Sequence, residues 1–132
     1  MKAIAVAVAY ASIPLLVATA AGAADGAVSF RNQVLPILTE RCVMCHVQGA
    51  EQGALSLFPE AWSQLVGVKA SESVLNRVEA GAPERSYLYL KLLGQQESAG
   101  GSGERMPFQQ DPLTAQELDV FRRWIAEGAV QD

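Results

Sequence analysis

Cys42-Val43-Met44-Cys45-His46 is the stretch on which the reading of this chain turns. Five consecutive residues hold both cysteines and the single histidine of a 132-residue sequence. A disulfide between two cysteines three positions apart closes so short a loop that it staples almost nothing. The chain therefore has no disulfide framework, and the pair needs a local explanation.

Upstream of the motif, Ser29 is suited to an N-cap, and Phe30, Val34, Ile37, Leu38 and Arg41 recur at helical spacing. This predicts a first helix from about Ser29 to Cys45, kinked at Pro36. Further upstream, Lys2 supplies a charged start, Ala3 to Val17 are apolar apart from a break at Pro14, and small residues follow to Ala24. This is the pattern of an export signal with A-x-A cleavage sites, giving a signal over residues 1–24 and one domain over 25–132. The competing reading is an uncleaved membrane anchor, although Ala is weakly hydrophobic and no stop-transfer charges follow. Loss of the signal removes one lysine from 10 basic residues and none from 14 acidic ones, so the charge becomes 9 − 14 = −5. An acidic surface excludes nucleic acid as the expected partner and favours docking on basic protein patches.

Downstream, three more helices are expected. One begins at Pro59 and carries Ala61, Trp62, Leu65 and Val66 to Gly67. Another runs from about Glu84 to Leu93 and ends at Gly94. In the last, Thr114 and Glu117 form a capping box, Leu118, Phe121, Trp124 and Ile125 make the apolar stripe, and Gly128 stops it. No alternating strand pattern persists, so the fold class is all-α. The run Gln95 to Gly103 is polar and Gly-rich, which reads as a mobile loop standing before Arg105-Met106-Pro107. Some 132 − 24 = 108 residues in four short helices make a thin core. A large apolar cofactor in the middle would complete it.

The five-residue motif names such a cofactor. C-x-x-C-H is the attachment signature of c-type haem. Two thiols add across the two vinyl groups of the macrocycle, and the next residue falls beneath the iron, where an imidazole nitrogen ligates it. Cys42 and Cys45 are thus the thioether sites and His46 the proximal ligand. Three other readings compete: a thioredoxin-like redox pair, which expects a βαβ pattern; a zinc site, which would need a carboxylate as fourth ligand; and chance.

A His-ligated haem iron has a sixth position, commonly filled by Met or His. His46 is the only histidine, and of three methionines Met1 leaves with the signal while Met44 sits inside the motif. That leaves Met106, with Pro107 stiffening the chain beside it. The alternative is Met106 as a gap-filling core residue. Arg105, and less directly Arg77 and Arg85, are candidates to pair with haem propionates, against the default of a solvated face. Tyr87, Tyr89 and Trp62 are either propionate donors through their polar ends or packing residues. Leu55 and Leu57 are expected to line the pocket.

These residues together resemble the small monohaem class I c-type cytochromes, in particular a short bacterial cytochrome c domain found in planctomycete-type proteins. The resemblance runs through Val34-Leu35-Pro36-Ile37-Leu38, Arg41-Cys42 with the C-x-x-C-H, and Gly53-Ala54-Leu55-Ser56-Leu57. It continues through Leu65-Val66-Gly67, Gly81 to Tyr89 with Lys91-Leu92, Gly103-Glu104-Arg105-Met106-Pro107 and Trp124-Ile125-Ala126-Glu127-Gly128-Ala129. It implies a cytochrome c fold whose first and last helices cross, with Phe30, Phe121 and Trp124 at the crossing and haem c between the helices and the middle loops. One departure is Gly81-Ala82-Pro83, where the family often reads Pro-Gly.

The expected function is a periplasmic, monomeric one-electron carrier, cycling Fe(II)/Fe(III) in a covalently bound His/Met-ligated haem. Its partners would be a dehydrogenase or reductase on one side and an oxidase or another cytochrome on the other, with a membrane only if the signal stays uncleaved. Two alternatives are a haem-based sensor with a displaceable Met106 and an electron-transfer subunit of a larger oxidoreductase. Catalysis by the chain itself is not expected, since one histidine and no paired carboxylates give no acid–base constellation.

Overall fold

A computed structural model describes residues 26–47 and 52–132, so the expected export signal lies outside the described residues. Among them the chain is all-α: four helices, α1 (Leu35–Arg41), α2 (Ala61–Leu65), α3 (Tyr87–Leu93) and α4 (Ala115–Ala126), joined by loops and short turns. No strand forms among the described residues. Isolated bridges, Val66 with Val78, Lys69 with Asn76 and Asn76 with Ser86, tie the 66–86 segment to itself.

The first helical stretch opens as expected at Ser29, whose hydroxyl accepts the Asn32 N–H. Its first turn, Phe30–Val34, is π-helical, and regular α1 begins only at Leu35. Pro36 explains the wide turn. It has no N–H for the Asn32 carbonyl, and its ring would press on that carbonyl in a tight α-turn. α1 then ends at Arg41, earlier than the periodicity implied, and the cysteine motif forms the turns that follow.

α2 starts two residues after Pro59, and a 3₁₀ turn, Pro83–Arg85, precedes α3. Between that turn and α3, Ser86 is fully buried; its hydroxyl donates to the Ala82 carbonyl at 2.9 Å and accepts the Glu79 N–H at 2.9 Å.

α4 follows the sequence signal closely. The Thr114 hydroxyl accepts the Glu117 N–H at 3.2 Å, and the Glu117 carboxylate accepts the Thr114 N–H at 2.7 Å. Glu117 also pairs with Arg41 at 3.5 Å, linking the end of α1 to the start of α4. The Thr114 N–H, then the Thr114 hydroxyl and the Arg41 charge, hold the Glu117 carboxyl below the usual glutamate range. Thr114→Ala is expected to cost about 1 kcal/mol, read as a fall of roughly 4–8 °C in melting temperature. A depressed carboxylate contributes stability above its unfolded value and loses it as pH falls through the lower folded value. The deficit of Glu117→Gln should therefore be present at neutral pH and close in acid, which paired melting curves at the two pH values check.

The core lies where α1 and its π-turn meet α4. Val34, Leu38, Leu65, Val78, Phe121, Trp124 and Ile125 are almost fully buried. The Phe30 and Trp124 rings pack with centroids 5.2 Å apart and planes tilted by 36°. Polar groups tie the chain ends over this core: Trp62 Nε1 donates to the Ala129 carbonyl at 2.7 Å, Trp124 Nε1 to Val130 at 3.0 Å, and the Val28 N–H to the Glu127 carboxylate at 2.6 Å.

Candidate haem site

Next to this core, and sharing Leu38 and Leu65 with it, the chain bounds a cavity of about 770 Å³. Interiors of domains this size hold few voids larger than a water molecule, and cavities of ~300–1,000 Å³ are the range of ligand and cofactor sites. Its apolar walls come from three helices and two loops: Leu38 of α1, Leu55 and Leu57, Leu65 of α2, Leu88 and Leu92 of α3, and Pro107.

Cys42, Cys45, His46 and Met106 all line this one cavity. Cys42 caps the end of α1, with its N–H on the Leu38 carbonyl at 2.9 Å, and the chain turns through hydrogen bonds from the Cys45 and His46 N–H groups to the Cys42 carbonyl. Both thiols are free. Burial pushes the Cys42 thiol up to about 11 against the opposing pull of Arg41. A helix C-terminus also disfavours a thiolate. Redox-active C-x-x-C pairs depend on a lowered thiol at a helix N-terminus or beside a cation, so Cys42 has the wrong electrostatics for that chemistry. Among the described residues no three His, Cys, Asp or Glu side chains converge as a metal-holding group, which leaves the zinc alternative without a donor set there.

His46 Nδ1 lies 3.3 Å from the Leu55 carbonyl oxygen. A carbonyl only accepts, so this contact places a proton on Nδ1, and in the neutral ring Nε2 is then the nitrogen with a lone pair for a metal. The His46 carbonyl in turn accepts the Leu57 N–H at 2.8 Å, so the ring is held by the segment that supplies two wall leucines. Met106 is half-buried, and its N–H donates to the Lys91 carbonyl at 3.0 Å.

No family model, curated protein or solved structure matches this chain. Two thiols and an imidazole on one turn, a thioether from a distant segment and leucine walls between them fit a haem in type and number.

The remaining candidates are distributed unequally. Arg105 is exposed, is not among the cavity-lining residues, and runs its stem past Gly94. Arg85 is also exposed. Arg77 does line the cavity, is only 9% exposed, and donates to the carbonyls of Gln64 at 2.8 Å, Gly53 at 3.0 Å and Ala54 at 2.9 Å. Those bonds use three of the five guanidinium hydrogens, and no carboxylate pairs with it among the described residues. Trp62 spends its N–H on Ala129 and Tyr87 donates to the Ser102 carbonyl at 3.1 Å, so both tips are committed to the protein.

The Gly-rich run expected to be a loop carries defined contacts. Gln96–Ala99 form a 3₁₀ turn, and the following segment is tied by side chains from α3. The residue responsible, Lys91, was missed by pattern reading, as was its partner Glu72. The one available signal is a lone lysine inside the run Tyr87-Leu88-Tyr89-Leu90-Lys91-Leu92-Leu93. Among the described residues no helix is long and apolar enough to cross a membrane.

Proposed function

We propose that this chain is an exported one-electron carrier of the c-type cytochrome class, built on the cytochrome c fold. One observation carries the reading: the two thiols of C-x-x-C-H, an imidazole with Nε2 left for a metal, and a thioether from 60 residues downstream all line the same leucine-walled cavity. Bound there, haem c supplies the Fe(II)/Fe(III) couple. Cys42 and Cys45 would anchor the macrocycle, His46 and Met106 would ligate its iron, and the leucine walls would exclude water. Arg77 keeps two N–H groups for a propionate, whose charge would neutralise its guanidinium; Arg105, exposed and outside the cavity lining, is better suited to solvent.

Met44 and Phe108, 87% and 52% exposed, stand among the lining residues on the open side. Exposed apolar side chains beside a redox centre give a partner protein a dry contact close to the macrocycle edge. The surplus of acidic residues speeds encounter with basic partners at low salt. Those partners are a dehydrogenase or reductase as donor and an oxidase or another cytochrome as acceptor.

The test is the absorption spectrum, oxidised and then reduced, of the full chain co-expressed with a haem-maturation system. The expected result is a sharp c-type reduced band together with the weak long-wavelength band of sulfur-ligated ferric iron. A c-type spectrum lacking the sulfur band removes Met106 from the iron and favours a ligand-binding sensor. Absence of covalent haem overturns the reading.

A further inference from the structure

Lys91 sits in the apolar run of α3 and is only 7% exposed. A lysine is seldom taken out of water unless its charge and its three N–H bonds are met. Here all three find oxygen: Nζ donates to the carbonyls of Ser102 at 2.8 Å and Glu104 at 3.1 Å, and lies 3.3 Å from the Glu72 carboxylate. The Tyr87 ring adds a cationic contact, its centroid 5.7 Å from Nζ. The two carbonyls belong to the segment that leads into Met106. The other end of the same residue holds that segment too, since the Lys91 carbonyl accepts the Met106 N–H at 3.0 Å.

The glycines of the segment are shaped to this grip. A Cβ at Gly103, where φ is +76°, would stand 2.9 Å from Lys91 Nζ, and one at Gly101 would stand 2.3 Å from the Tyr87 ring. Close approach to the Tyr87 ring therefore accounts for glycine at 101, and the left-handed backbone, with Lys91 Nζ beside it, for glycine at 103. Gln96 Nε2 closes the arrangement from below with a 2.8 Å bond to the Gly103 carbonyl.

Resting on the reading of Met106 as the sixth ligand, we infer that Lys91 is a positioning residue for it. The Lys91 ammonium, neutralised by Glu72, fixes residues 102–106 from both ends so that the thioether resists displacement from the iron. Hydrogen bonds from a charged donor are strong enough that losing them shifts the bound-to-displaced equilibrium of the sulfur on the order of 10- to 100-fold.

The experiment compares haem-loaded wild type, Lys91→Leu and Glu72→Gln well below their melting temperatures. Leucine removes donor and charge and introduces no new iron ligand. The readouts are the sulfur-to-ferric-iron band, the rate of carbon monoxide binding to the ferrous protein, and thermal melting. Lys91→Leu is expected to keep covalent haem and the c-type reduced band, weaken the sulfur band, and bind carbon monoxide on the order of 10- to 100-fold faster. Glu72→Gln, which leaves both loop bonds but removes the counter-charge, moves both readouts less, in the same direction. An unchanged band and carbon monoxide rate in Lys91→Leu, with only melting lowered, makes the lysine structural and overturns the inference. Should that variant not accumulate, unchanged readouts in Glu72→Gln overturn it alone. A wild type without covalent haem or without the sulfur band instead sinks the reading of the site, so the two failures are distinct.

Discussion

Replacing both Cys42 and Cys45 by serine is expected to yield a chain that carries no haem after denaturation and melts far below the wild type. A serine hydroxyl does not form the thioether, so only His46, Met106 and the cavity walls would hold the macrocycle. Binding then becomes an ordinary equilibrium that depends on haem concentration, whereas a tethered group cannot leave when the fold opens. A bound group present at a thousand times its dissociation constant stabilises a fold by about 4 kcal/mol. Domains have only about 5–15 kcal/mol in total, and beside its one core this domain bounds a cavity of about 770 Å³ lined by Leu38, Leu65, Leu88 and Leu92. A loss of that size lowers melting by roughly 15 to 30 °C in a domain of this length. Intact mass and a haem stain after denaturing electrophoresis read the attachment, and calorimetry reads the stability. Retention of covalent haem, or a melting curve superimposed on the wild type, contradicts the assignment of these cysteines.

How far the sequence disclosed this arrangement depends on the distance over which each signal acts. The capping box of Thr114 and Glu117 is local, and α4 begins where it says. The all-α class was likewise legible from apolar spacing, whereas the meeting of Phe30 with Trp124 was expected only from the family resemblance, since spacing marks both as core residues without pairing them. The π-turn before Leu35 was legible only as a kink at Pro36, since the missing N–H is visible in sequence but the way the chain absorbs it is not. Arg105 drew attention because it adjoins Met106, yet adjacency along the chain does not decide which side a residue faces. With Met106 at the cavity, Arg105 faces solvent, and Arg77, 105 − 77 = 28 positions earlier, reaches the lining instead. The Gly-rich run is the sharpest case. Composition cannot distinguish glycine kept for flexibility from glycine demanded by a neighbour, and the neighbours here, Tyr87 and Lys91, lie on a helix earlier in the chain.

Met106→Ala carries the second large expectation, and it separates a carrier from a sensor. Cys42, Cys45 and His46 are untouched, so covalent haem and the c-type reduced band should persist. The long-wavelength sulfur band should vanish, and the ferrous protein should bind carbon monoxide promptly. The sequence holds no second histidine to substitute, and Met44 is 87% exposed on the attachment turn itself. Thioether ligation stabilises the reduced iron and raises the reduction potential, so its removal should lower that potential by an amount on the order of 0.1 V, a modest part of the ~0.8 V that axial ligands span. The cost in stability should be about 2 kcal/mol, the low end for a methionine truncation, because Met106 is half-buried. A change confined to stability, with spectrum, carbon monoxide binding and potential equal to wild type, would make Met106 a packing residue. The discriminating quantity is therefore the potential measured by redox titration beside the carbon monoxide rate: a carrier loses its high potential and gains the ligand in the same substitution, whereas a sensor already binds carbon monoxide as wild type.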